Sequence, residues 1–317
     1  MQRFQCQNCG QEVYFENSVC LNCASNQLYD PSSSSLVIDG AACANRESIG
    51  CNWIAPGEGQ LCQSCAITEV IPDLSVQGNV TRWRKVEQAK LRLIHALRGL
   101  SLPLDAPHDR HLRFRFLADG ESAMADGPVL TGHDNGRVTL NIAEADDATR
   151  EATRVAMGEP YRTLLGHFRH ESGHFYWDVL VADADRTEAF REVFGDERED
   201  YDMALARHYA EGSPVDWQES HVSAYAAAHP WEDFAETWAH ALHILDALET
   251  AQSYGLAPVS GAADVGDPEV VLADWLPLSL AMNAMNRSLG HPDFYPFQTA
   301  PRVGRKLGFV LRLMRAS

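Results

Sequence analysis

The chain has 317 residues, of which 45% are hydrophobic and 22% charged, the composition of a globular protein with enough chain for a sizeable core. Asp and Glu number 44 against 26 Lys and Arg, a formal charge of −18. This balance argues against a general binder of nucleic acid or anionic membranes, because such binding depends on Lys and Arg. The sequence has neither an apolar run of membrane-spanning length nor a signal peptide at its start, so we expect a cytoplasmic protein.

All eight cysteines lie in the first 65 residues, and three pairs are separated by two residues each. That spacing lets both thiolates of a pair reach one metal ion, so we predict two closed structural zinc sites rather than disulfides. The expected grouping follows chain order, with an interleaved pairing as the alternative: Cys6, Cys9, Cys20 and Cys23 in one site, and Cys43, Cys51, Cys62 and Cys65 in the other. Residues 1–75 are thus predicted to form a loop-rich double zinc-ribbon domain, which needs metal because so short a segment buries little apolar surface.

The next predicted elements are one helix and two strands. Residues 81–97 place Trp83, Val86, Leu93 and Leu97 on one side of a helix. The helix carries five basic residues and one acid, which we interpret as a solvated face, with a nucleic-acid surface as the alternative. Residues 113–117 and 137–142 are predicted strands, the second preceded by a turn at Asp134-Asn135-Gly136.

The sequence His170-Glu171-Ser172-Gly173-His174 lies in a largely apolar segment, for which Gly158-Glu159-Pro160 predicts a helix start. Two histidines four residues apart project from one helix face, where both can bind one zinc ion. Glu171 is rotated about 100° from His170, close enough to act on a water at the metal without being a ligand. Surface histidines on an ordinary helix are the alternative. A third histidine ligand six residues beyond His174 is excluded, since Leu180 stands there.

A catalytic zinc needs a third protein ligand and one open position. Glu232, Glu236 and His240 follow at intervals of four on another apolar helix, where acids are costly to bury without a cation. We predict zinc ligation by His170, His174 and Glu232, with Glu236 and His240 supporting the ligands through hydrogen bonds. Ligation by His240, with both glutamates in support, is the main alternative; a solvated polar stripe is the other.

The last stretch, residues 302–315, has five basic residues, no acid and an apolar stripe. We predict a terminal helix that packs on the body of the protein.

A histidine pair with a distal glutamate resembles the gluzincin arrangement. More closely, the whole chain is similar to a bacterial family of zinc-binding metallopeptidases with an N-terminal zinc ribbon. The motifs that carry this resemblance are Cys51-Asn52-Trp53, Ile71-Pro72-Asp73-Leu74-Ser75, Asn141-Ile142-Ala143-Glu144-Ala145-Asp146, Gly158-Glu159-Pro160-Tyr161-Arg162, the 170–174 helix, Ala224-Tyr225 and Pro230-Trp231-Glu232-Asp233.

The resemblance implies an α+β fold: a mostly helical, zincin-like peptidase domain at residues 76–317 with a small antiparallel sheet. It implies zinc ligation by the histidine pair, so we expect one catalytic zinc in addition to the two structural ions. The resemblance implies no particular substrate; we expect a protein or peptide from the peptidase function itself. Glu171 is then the general base, and Tyr225 a donor to the developing oxyanion. A core role for Tyr225 is the alternative, with His221 or His229 as the donor. We expect strand 138–142 to be the edge on which an extended substrate pairs.

Two functions remain open from the sequence. One is a peptidase or isopeptidase whose ribbons recruit or gate its substrate. The other is a ribbon-based regulatory or interaction protein that cuts little. The intact Glu171 favours the first, because a binding-only protein needs no general base beside a ligand pair. The oligomeric state is not predicted.

Overall fold

The computed structural model describes residues 2–120, 129, 131–256 and 267–315. The chain divides into two compact units, Met1–Phe168 and Arg169–Ser317.

The first unit begins with short antiparallel strand pairs that frame the cysteines. These pairs are β1 (Phe4–Gln5) with β2 (Glu12–Val13), β3 (Leu28–Asp30) with β4 (Ser35–Val37), and β5 (Ala41–Ala42) with β6 (Ile54–Ala55). Two short helices follow β5 and β6, α1 (Arg46–Ile49) and α2 (Gln63–Ala66). Gly10 has a φ of +73°, a left-handed conformation that glycine adopts without strain, and its amide donates to the Cys6 carbonyl. The segment therefore turns back on itself around its thiols.

Helix α3 (Asn79–Gly99) packs against this segment and confirms the helix predicted at residues 81–97. The predicted apolar side is buried along its whole length: Trp83, Val86, Leu93 and Leu97. Its basic face is only partly solvated. Lys90 is buried and pairs with Glu87 at 2.8 Å, and Arg82 pairs with Asp146 at 2.7 Å.

A four-stranded sheet has the order β11-β12-β10-β7, formed by β7 (Thr68–Val70), β10 (Arg113–Leu117), β11 (Gly132–Asp134) and β12 (Arg137–Asn141). A separate small ladder pairs β8 (Asp105–Ala106) with β9 (Arg110–His111). Strand β10 runs parallel to both β7 and β12, so this larger sheet is mixed; only the β11–β12 pair is antiparallel. Within residues 76–317, the predicted antiparallel pairing is found in β11–β12 and in the β8–β9 ladder.

The expectation that strand 138–142 is a sheet edge is wrong. Asn135 and Gly136 both have positive φ, which suits the tight turn of a two-residue hairpin. This turn folds β11 back onto β12, so β12 lies inside the sheet with β10 on its other side. Residue 142 leaves the strand and begins a 3₁₀ turn, Ile142–Ala145.

The helix start predicted at Gly158-Glu159-Pro160 is also wrong. Helix α4 (Asp147–Met157) ends there, with Gly158 as its left-handed cap at a φ of +65°. The next helix, α5 (Leu164–Trp177), begins after Thr163, whose hydroxyl accepts from the Gly166 amide at 2.9 Å. Threonine is a preferred residue for this capping role.

The second unit is a helical assembly built around α8 (Pro230–Tyr254), which contacts α6 (Thr187–Phe194), α9 (Pro268–Ser288) and α10 (Pro301–Arg315). A π-helical turn, Asp178–Ala182, follows α5. Helix α7 (Tyr201–Glu211) and two 3₁₀ turns, Trp217–Glu219 and Tyr225–Ala227, precede α8. Aromatic rings fill the core: Tyr176, Phe190, Phe194, Phe234 and Trp238.

Helix α10 confirms the terminal packing helix, since Leu307, Val310, Leu311 and Met314 are buried. Among the described residues, no helix is both long and apolar enough to cross a membrane. The predicted fold class is confirmed: cysteine clusters of zinc-ribbon type precede a mostly helical body.

Candidate metal centres

Within the described part of the chain, three groups of side chains bring metal-binding atoms within 4.8 Å of one another. Two are four-cysteine groups, and the third contains two histidines and a glutamate. The cysteine groups are Cys6, Cys9, Cys20 and Cys23, and Cys43, Cys51, Cys62 and Cys65. The structure thus brings the cysteines together in chain order and not in the interleaved arrangement.

Sulfur spacing in both cysteine groups fits zinc. Cys6 and Cys23 have their sulfurs 3.7 Å apart, as do Cys9 and Cys20, and the second group shows the same 3.7 Å separation between Cys51 and Cys62. Four thiolates at a Zn–S distance of about 2.3 Å form a tetrahedron whose edge is about 3.8 Å. A disulfide instead requires about 2.05 Å. Both groups therefore have the size of a tetrahedral zinc site.

The third group depends on the close approach of α5 and α8. A Cβ atom at Gly173 would lie 2.8 Å from the Ala235 Cα, closer than real Cβ contacts. Glycine in the middle of a helix costs about 0.5–1 kcal/mol relative to alanine, so its presence here is explained by packing. The small residues Gly173 and Ala235 let the two backbones meet beside His170, His174 and Glu232.

Glu232 lies in the first turn of α8, which begins at Pro230 with His229 as its cap. The His229 Nδ1 accepts from the Trp231 amide at 3.0 Å. Proline suits this first helical position because its missing N–H has no partner there in any helix. The N-terminal end of the helix also favours a negative side chain. The local sequence thus fixes where α8 starts, and with it the position of Glu232 in the first turn.

The ligand atoms of the third group face one another. Glu232 Oε2 lies 3.0 Å from His170 Nε2, and Glu232 Oε1 lies 3.5 Å from His174 Nε2. The Glu232 side chain is 1% exposed. Its Oε2 is buried and accepts no hydrogen bond from the residues that the structure describes. A buried carboxylate oxygen without a donor is costly unless a cation compensates it.

Glu236 determines which His170 nitrogen carries the proton. His170 Nδ1 lies 2.7 Å from Glu236 Oε1, and Ser223 donates to the other oxygen of Glu236. Because a carboxylate only accepts, Nδ1 holds a proton towards Glu236, which leaves Nε2 as the nitrogen that would bind a metal ion beside Glu232. Burial opposes ionisation of Glu236, but the hydrogen bond and charge of His170 outweigh it and lower the Glu236 pKa to about 2. An oriented imidazole beside an orphaned carboxylate oxygen fits a zinc ion.

His240 does not join this group. It is buried about two turns beyond Glu232 along α8, and its Nδ1 lies 2.7 Å from the Tyr295 hydroxyl. Burial lowers the pKa of His240 to about 4, which keeps the ring neutral. The third ligand atom brought to the histidine pair is therefore that of Glu232, whereas the hydrogen bond of His240 goes to Tyr295.

The candidate oxyanion donors lie in different surroundings. Tyr225 has its ring centroid 5.9 Å from that of His170. Burial raises the pKa of Tyr225, as do the charges of Glu232 and Glu171, so its hydroxyl keeps its proton. His221 lies 3.0 Å from the Ser220 hydroxyl through Nδ1, and burial with the nearby Lys306 lowers its pKa to about 4. His229 is occupied in capping α8.

Tyr201 is a residue of the site that the sequence did not reveal. Its hydroxyl donates to Glu232 Oε1 at 2.7 Å. The residue stands 31 positions before Glu232, on α7 and outside every motif named above. Spacing carries no signal for it, because a contact between two separate helices leaves no periodic trace in the sequence.

Comparison with known proteins agrees with this geometry. A family model described as "putative zinc-binding metallo-peptidase" matches residues 79–313. The chain belongs to this family. A zinc-ribbon domain model matches residues 3–42 and again 38–76. Two uncharacterized proteins, Rv2568c of Mycobacterium tuberculosis and Mb2598c of Mycobacterium bovis, are each 45% identical to the chain over 326 residues, covering 98% of it and 94% of the relative. No solved structure matches.

Proposed function

We propose that this member of the family is a zinc-dependent peptidase that hydrolyses peptide or isopeptide bonds. The observation that carries the proposal is the pair of histidines on either side of Glu171 in α5: the Nε2 atoms of His170 and His174 lie 3.0 and 3.5 Å from the two carboxylate oxygens of Glu232. A zinc ion bound there would make a water molecule nucleophilic near neutral pH and polarise the scissile carbonyl.

The protein's own residues supply the proton transfers. Glu171 accepts the proton of the attacking water and later delivers it to the leaving amine. Burial and the charge of Glu232 raise the pKa of the Tyr201 and Tyr225 hydroxyls, and the charge of Glu171 raises it further, so both hydroxyls keep their protons at neutral pH. Tyr225, protonated at neutral pH, donates a hydrogen bond to the developing oxyanion.

Other residues hold the ligands in place. Glu236 fixes the orientation of His170 by accepting from its Nδ1. Trp231 packs against the ring of His174, with ring centroids 3.8 Å apart. Both contacts restrict imidazole rotation, so the two Nε2 atoms stay directed at Glu232.

The zinc ribbons serve recognition of the substrate or a partner protein. Three apolar side chains near the first cysteine group are exposed: Tyr14, Val19 and Leu21. Leu21 lies between Cys20 and Cys23 and is 96% exposed. We take these three exposed side chains as the candidate contact surface of the ribbons. A domain division after residue 75 is supported by the family matches, since the zinc-ribbon match ends at residue 76 and the peptidase match begins at residue 79. The cytoplasmic location stays a prediction from the sequence.

We expect the purified protein to carry three zinc ions per chain, two in the cysteine groups and one in the histidine group. Mild chelation should remove one ion first, because the histidine group has an open position and no thiolate. Zinc content during stepwise chelation, measured alongside free thiols, tests this. A protein with one zinc, or with disulfides among the eight cysteines, contradicts it.

Activity itself is tested by a cleavage screen on a peptide library derived from a whole proteome, with the Glu171→Gln variant as the matched blank. Cleavages present with the wild type and absent with the variant support the peptidase. A wild type that holds three zinc ions and cuts nothing supports the interaction protein instead.

The Tyr225→Phe variant should lower kcat about 10²–10³-fold, the usual effect of losing one oxyanion donor. KM and zinc content should hardly change, because the donor acts on the transition state and not on the bound peptide. Steady-state kinetics on a peptide from the screen measure this. An unchanged kcat in Tyr225→Phe, with a large drop in His221→Ala or His229→Ala, would assign the donor role to that histidine.

A further inference from the structure

We infer that Tyr201 is a positioning residue that holds Glu232 as a zinc ligand through one oxygen, Oε2. This role rests on the proposed function, since it requires a metal ion at the histidine group. Tyr201 is the first residue of α7, where Asp200 caps the helix by accepting from the Met203 amide at 2.9 Å.

The two oxygens of Glu232 have different surroundings. Oε1 accepts the Tyr201 hydroxyl at 2.7 Å. Oε2, at 3.0 Å from His170 Nε2, accepts no hydrogen bond from any residue in the described ranges. A tyrosine hydroxyl can donate to a carboxylate, whereas a carboxylate has no proton to return. Tyr201 therefore engages Oε1 and leaves Oε2 as the oxygen available to a cation.

The ring of Tyr201 is held by the same turn of α8 that carries Glu232. It meets His229 edge-on with centroids 5.3 Å apart, and Trp231 with centroids 5.7 Å apart. His229 Nε2 donates to the Glu199 carbonyl at 3.2 Å, which ties the segment before α7 to the cap of α8. The position of the hydroxyl is thus set by packing and by backbone contacts on both sides.

The hydrogen bond from Tyr201 to Glu232 affects the affinity for the metal ion more than the rate of hydrolysis. A hydrogen bond to an ionised acceptor is stronger than a neutral one and fixes the carboxylate's rotation about its last torsion. Without the hydroxyl, Oε1 loses its donor inside a buried site and Glu232 is free to turn. Replacing a partner of this kind typically weakens metal binding about 10–100-fold.

The test is zinc occupancy of the full-length protein dialysed against buffers of stepped free zinc, where the third ion gives the affinity of the histidine group. Tyr201→Phe retains the ring and removes only the donor. We expect half-saturation of the third ion at about 10–100-fold higher free zinc, with the two thiolate-bound ions and the far-ultraviolet dichroism unchanged. Tyr209→Phe is the control on the same helix, because Tyr209 is 67% exposed; it should stay within about twofold of the wild type.

The outcomes separate this role from the proposed function. If wild type and Tyr201→Phe hold the third zinc equally well, the positioning role is overturned while the peptidase proposal stands. If the wild type binds only two zinc ions, both are overturned. If the third zinc is present and weakened in Tyr201→Phe but no peptide is cut, the positioning role holds and the peptidase proposal falls.

Discussion

The Glu171→Gln variant should keep its third zinc and lose activity about 10²–10⁴-fold, the usual cost of removing a general base. Glutamine has nearly the shape of glutamate but cannot take a proton from water at neutral pH. Because Glu171 is not among the residues whose ligand atoms converge in the histidine group, its replacement should leave metal affinity intact. Peptide cleavage rates and zinc content, measured on the same preparation, test the loss of activity and the retention of zinc.

The control for Glu171→Gln is Glu188→Gln on α6, where the side chain is 86% exposed and pairs with Arg191. It carries the same chemical change and should leave the cleavage rate unaltered. Wild-type activity in Glu171→Gln would remove the general base from the mechanism. Loss of zinc in that variant would instead make Glu171 a ligand.

The Glu232→Ala variant should reduce the zinc content from three ions to two. Two histidines alone are short of the three protein ligands that catalytic zinc sites use, and the buried negative charge that attracts the cation is gone. The thiolate-bound ions should remain, because no cysteine belongs to this group. Metal analysis after gel filtration measures the loss.

His240→Ala is the matched comparison, since His240 lies on the same helix and is buried. Its hydrogen bond is with Tyr295, so we expect the variant to lose some stability and keep three zinc ions. The reverse pattern, with full zinc in Glu232→Ala and an empty histidine group in His240→Ala, would transfer ligation to His240.

The sequence alone was sufficient for features built from neighbouring residues. The paired cysteines two residues apart predicted metal knuckles, and the histidines four apart predicted a shared helix face, because both depend on backbone geometry within one turn. The apolar side of α3 was predicted from the same helical periodicity. Strand β10 was predicted with its observed bounds, 113–117, from its alternating residues.

Other features depended on contacts between distant segments. The helix start expected at Gly158 fails because the same residue type ends helices in the left-handed conformation, and only the observed φ separates the two roles. The sequence predicts strand β12 as a sheet edge, but β11 folds back and pairs with it, so β12 lies inside the sheet. The choice of partner for a strand is made by loop geometry and packing, which leave the strand's own pattern unchanged.

The candidate site shows the same division. The spacing of Glu232, Glu236 and His240 places them on one stripe of a helix. It leaves both Glu232 and His240 as candidates for the third ligand. The approach of α5 to α8 at Gly173 and Ala235 decided that Glu232 reaches the histidines, because His240 lies about two turns, or about 12 Å, further along the helix axis. Tyr201 is identified as part of the site only by the tertiary structure, through its hydrogen bond to Glu232. The sequence thus determined the ligand types and the helix faces that carry them, whereas the packing of the helices decided which side chains on those faces meet.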